Sequence, residues 1–70
     1  MKYNGIKLKE FKSDKPVVFD PPKEMLVWDF GNETPFTAVV MAYIPARFYS
    51  VISEHYRHFH CAEIPNKENT

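Results

Sequence analysis

The chain has 70 residues, 44% hydrophobic and 16% aromatic, with nine basic and nine acidic side chains that cancel. That length allows one small domain, and the aromatic richness excludes a disordered chain. Balanced charge excludes a polycation built to coat phosphate backbones, and a single cysteine excludes an internal disulfide or a four-cysteine zinc site.

Residues 1–15 carry Lys2, Lys7, Lys9, Lys12 and Lys15 against Glu10 and Asp14, while the remainder is acidic to the same degree. This stretch reads as a basic N-terminal arm or edge strand attracted to the body of the domain, and within it Ile6 to Phe11 alternates apolar and charged residues. Six prolines then punctuate the chain, and those up to Pro45 leave pieces too short for ordinary helices. Pro16 to Phe19 is a short β-branched strand, and Asp20-Pro21-Pro22 reads as a turn. Met25 to Phe30 alternates, with apolar atoms on both faces. After a turn at Gly31 to Pro35, Phe36 to Ile44 is the run expected to be most buried, with Val39, Val40, Tyr43 and Ile44. Pro45-Ala46 turns the chain into Phe48 to Ser53, and Ser53-Glu54-His55 turns it again into Tyr56 to Ile64.

These segments predict an all-β fold, a small barrel or sandwich of five or six short antiparallel strands within a single compact domain at 16–65, followed by a flexible polar tail at 66–70. The alternative is α+β. Ser53 could cap a helix through His55 to Glu63, which would lie on a three-stranded sheet.

His55, His58, His60 and Cys61 fall within seven positions. On a strand, His58 and His60 share one face and Cys61 takes the other, so no closed tetrahedral set forms and no metal site is assigned. His60 is poorly placed to activate Cys61, and no glycine-supported oxyanion turn or phosphate loop is present. The expectation is therefore no enzyme, no catalytic residues and no cofactor.

Two binding readings remain. Tyr3, Lys7, Lys9, Phe11 and Lys12 interleave aromatics with lysines, as do Arg47-Phe48-Tyr49 and Tyr56-Arg57-His58; small barrels use such sets to bind single-stranded nucleic acid. The acidic body weakens that reading. The preferred one is protein binding, with a homodimer expected, because strands 25–30 and 36–44 offer apolar side chains on two faces. The expected contact residues are Trp28, Phe30, Arg47, Phe48, Tyr49, Tyr56 and Arg57, types enriched at interface centres. No membrane association is expected, since the longest apolar run, Ala38 to Ile44, has seven residues.

Met25-Leu26-Val27-Trp28-Asp29 and His60-Cys61-Ala62-Glu63-Ile64-Pro65 resemble stretches of small proteins encoded by bacteriophages and prophages. The likeness covers residues 23–65. It departs at Gly31-Asn32-Glu33-Thr34, which is less acidic than the group's turn, and at His55 and His58, which the group's pattern lacks. The resemblance implies a mobile-element accessory protein and supplies no activity or catalytic residues. With no apolar signal region after Met1-Lys2, export is not expected, and the resemblance implies the cytoplasm of a bacterial host.

Overall fold

Asn4 and Gly5 both hold positive φ, 51° and 78°, as the central residues of a type I′ turn require, and Asn-Gly is the pair that tolerates it best. They join β1 (Lys2–Tyr3) to β2 (Ile6–Lys7) in an antiparallel hairpin, Lys2 opposite Lys7 and Tyr3 opposite Ile6. The computed structural model describes residues 2–31 and 33–65. The expected polar tail at 66–70 lies outside the described residues.

The main sheet holds β3 (Val17–Trp28), β4 (Phe36–Tyr43), β5 (Val51–Ser53), β6 (Arg57–His58) and β7 (His60–Ala62), in the order β6-β5-β4-β3-β7, with antiparallel pairing throughout. Only Phe59 separates β6 from β7. The last extended segment therefore pairs with β5 through its first half and with β3 through its second, and the sheet curls into a half-barrel. The all-β expectation holds, and no helix occurs among the described residues. The radius of gyration, 11.7 Å, is close to the roughly 11 Å of a compact chain this long.

Three local expectations change. Asp20-Pro21-Pro22 is not a turn between strands. It lies inside β3, where the pairing with β4 shifts register between Val18, opposite Ala42, and Lys23, opposite Val40. Prolines cannot donate to a ladder, so they sit at such irregularities. The helix at 53–63 does not form. Ser53 Oγ does accept from the Tyr56 N–H (3.1 Å), as a helix cap would, but it also donates to the Tyr56 carbonyl (2.7 Å), which accepts the Ser53 N–H as well (2.9 Å). That closes a hairpin from β5 to β6. Finally, in the run 36–44 it is Val40 and Tyr43 that are buried; Val39 is half-buried and Ile44 is 42% exposed.

The interior collects Met25, Val27, Val40, Tyr43, Val51 and Cys61, with Phe11, Val17, Phe19 and Ala38 packed against them. The opposite face of β3 has a core of its own. Leu26 and Trp28 meet Ala62 and Leu8, with Tyr3 of the hairpin alongside. The N-terminal segment is fixed there by the Phe11 N–H, which donates to the Cys61 carbonyl at 2.7 Å, and by the bridge from Glu10 to Ala62. The two-faced apolar character of Met25 to Trp28 is thus satisfied within one chain. Each fully buried aliphatic side chain here contributes about 1.5–3 kcal/mol.

Candidate interaction surface

Glu33 and Asp29 organise one end of the half-barrel. Glu33 Oε1 accepts from the Asp29 N–H (2.7 Å) and the Phe30 N–H (3.3 Å), while the Glu33 N–H donates to the Phe30 carbonyl (3.0 Å). The turn after β3 is held from within, as carboxylate-to-amide bonds do well. Asp29 Oδ1 in turn accepts from the Phe59 N–H at 3.3 Å and from His58 Nδ1 at 3.2 Å. This ties the turn to the β6–β7 junction and brings the ring of Phe30 to 6.4 Å from that of Phe59.

Phe59 also meets Tyr49, whose ring stacks on it at 4.6 Å and 23°. Its loop is closed by the Ile44 N–H donating to the Ser50 carbonyl (2.8 Å) and by Ser50 Oγ donating to the Ala46 carbonyl (3.2 Å). Within the loop Tyr49 has φ +52°, a left-handed conformation that opposes any side chain with a Cβ. Arg47 lies over the ring of Phe48, 5.5 Å from its centroid, as a cation–π pair. Phe30, Phe48 and Tyr49 are 62%, 59% and 50% exposed.

Of the expected contact residues, Phe30 and Tyr49 meet on Phe59, and Phe48 and Arg47 share the Tyr49 loop. Tyr56 and Arg57 are exposed as well, but Tyr56 lies against the rings of His55 and His58 and Arg57 opposite Ile52, apart from the Phe59 stack. Trp28 is a correction. It is 3% exposed, in the second core, with its indole stacked on His60 at 5.5 Å, so it is not available as a contact residue. Phe59, the centre of the cluster, was not singled out by sequence. It lies where the buried positions change phase, from His58 to Cys61.

That change of phase also separates the histidines. His58 is buried and bound to Asp29, with the edge of Phe36 on its ring (5.4 Å) and Nε2 lacking a hydrogen-bond partner. His60 is on the opposite face, half-exposed, with Nδ1 donating to Glu10 at 2.7 Å. The shared strand face expected for the two is not observed, and among the described residues no three His, Cys, Asp or Glu side chains converge as metal ligands do. Cys61 is free and fully buried; burial first, and the charge of Glu10 second, push its thiol up to about 12.

The lysines lie elsewhere. Lys7, Lys9, Lys12 and Lys23 line a cavity beside Met25, and Lys23 stands five strand residues before Trp28, a span of about 17 Å. None of Phe30, Tyr49 and Phe59 lines that cavity, although Glu10 on its rim bonds His60, the chain neighbour of Phe59. Among the described residues no helix is long and apolar enough to cross a membrane. Comparison with models of protein families, with curated proteins and with solved structures returns no match.

Proposed function

We propose that this chain is a non-enzymatic protein-binding module whose contact surface is the Phe30–Phe59–Tyr49 cluster, with Arg47 and Phe48 at its margin. The observation that carries the proposal is Tyr49. A half-exposed tyrosine holds a backbone conformation that suits glycine or asparagine, and its ring is fixed flat on a neighbour rather than buried. Strain retained at an exposed position points to a use for the side chain. Rigid aromatics beside an arginine are the composition of interface centres.

Single-stranded nucleic acid is the second reading. It needs stacking rings and cations along one groove, and none of Phe30, Tyr49 and Phe59 lines the lysine-rich cavity, which favours protein over it. The likeness of residues 23–65 to phage-encoded proteins extends the proposal to a mobile-element accessory protein, working in a bacterial cytoplasm on a host or viral macromolecule. A second copy of the chain is one partner that fits. Its motive is reduced, since the outer face of β3 is already covered by residues 3 and 8.

The test compares the wild type with a double variant, Phe30→Ser with Tyr49→Ser, by sedimentation and by retention of proteins from bacterial lysate. The wild type should either self-associate or retain a defined protein, and the variant should lose that property at unchanged circular dichroism. Equal retention by both forms, or a wild type that stays monomeric and retains nothing, contradicts the proposal.

A further inference from the structure

Residues 6–12 run beside Phe19, Lys23 and Met25 of the sheet and leave an open-sided cavity of about 430 Å³. Its floor is apolar. Met25 is buried there, and Phe11 and Phe19, both half-buried, meet edge to face at 5.5 Å, with Phe11 also resting its edge on Tyr43 at 5.2 Å. Its rim is cationic. Lys7, Lys9, Lys12 and Lys23 line it against two carboxylates, Glu10 and Glu63.

Both carboxylates are engaged. Glu63 is ion-paired with Lys23, whose hydrogen bond and charge lower its pKa, and Glu10 accepts from His60. Lys7, Lys9 and Lys12 have no ion-pair partner among the described residues. Glu10 keeps its charge and offsets part of theirs, but four lysines against two carboxylates leave the rim net positive, so an anion there is attracted while an attached apolar body covers the floor. The volume lies within the range of small-ligand sites, in which a few polar groups orient a mostly apolar occupant.

We infer that this cavity binds a small amphiphilic anion, with its carboxylate or other acidic head among Lys7, Lys9 and Lys12 and its apolar body on Phe11, Phe19 and Met25. None of Phe30, Tyr49 and Phe59 lines the site, which does not depend on the protein-binding proposal.

The experiment titrates the full chain, followed by amide chemical shifts, with three probes. Decanoate carries head and body, decanol the body alone, and inorganic phosphate a charge alone. Decanoate should shift the amides of residues 7–12, Phe19 and Glu63 saturably, and decanol should bind about tenfold more weakly. Phosphate should leave Phe19 unmoved. Lys9→Glu with Lys12→Glu, both exposed and therefore compatible with folding, should lower decanoate affinity by about tenfold or more. Equal binding of decanol and decanoate, insensitivity to the two substitutions, or shifts confined to Phe30, Tyr49 and Phe59 would each overturn the inference.

Discussion

Tyr49 allows a test in which two small substitutions are ranked against the usual order. Its φ of +52° costs a non-glycine residue roughly 1–2 kcal/mol, and the stack on Phe59 at 4.6 Å returns roughly 0.5–1.5 kcal/mol. Tyr49→Ala loses the stack and keeps the strain. Tyr49→Gly loses both, while adding unfolded-state freedom that costs about 0.4–1 kcal/mol. The glycine variant should therefore be the more stable of the two by about 0.5–1 kcal/mol. In a domain this small that difference is a few degrees in Tm, readable by urea titration or thermal melting. Phe48, next in the chain, exposed and without positive φ, is the control. There alanine should be the more stable choice. An alanine variant at 49 as stable as the glycine variant would refute the reasoning, because it would mean that the left-handed backbone carries no cost.

Leu26→Ala, at a fully buried position in the second core, should cost about 2–5 kcal/mol in urea unfolding, whereas Ile44→Ala, 42% exposed, should cost under about 1 kcal/mol. Asp29→Ala strands the His58 Nδ1–H and the Phe59 N–H and should cost about 1–3 kcal/mol, with the Phe30 and Phe59 ring resonances losing their mutual cross-peaks. The Cys61 thiol is raised from 9.0 to about 12 in the fold, so the unfolded chain releases its proton first as pH rises. Stability should be fully held below the lower value and decline between the two, and Cys61→Ala should show a shallower alkaline decline than the wild type. Removing residues 1–10 uncovers Trp28 and Leu26, so its indole emission should shift to the red and the protein should self-associate.

Much of the fold was legible because a strand's alternation and its turn residues are local. The alternation of Met25 to Trp28 and the β-branched run through Val39 and Val40 place the C-terminal part of β3 and most of β4 without any knowledge of partners, but not the continuation of β3 through Asp20-Pro21-Pro22. What escaped was set by tertiary pairing. Ser53 makes the hydrogen bond of a helix cap, and only the β5–β6 pairing decides that the chain reverses instead. Asn4-Gly5 is a local hairpin signal, and only the docking of that hairpin explains the second apolar face of β3. In the candidate site, exposed Phe30, Phe48 and Tyr49 could be named from residue type. Trp28 could not be told from them, because its burial depends on Leu8 and His60 arriving from opposite ends of the chain. Phe59 lies at a change of strand phase, and composition carries no trace of that.

The most direct measurement is the affinity of whichever partner, second copy or lysate protein, the wild type is found to bind, compared between the wild type and Tyr49→Gly. Because the substitution relieves backbone strain, folding and binding are read separately. A contact residue at an interface centre should show a loss of about tenfold or more in a protein that unfolds no earlier than its Tyr49→Ala counterpart. Undiminished affinity in the glycine variant would contradict the assignment of the Phe30–Phe59–Tyr49 cluster as the binding surface.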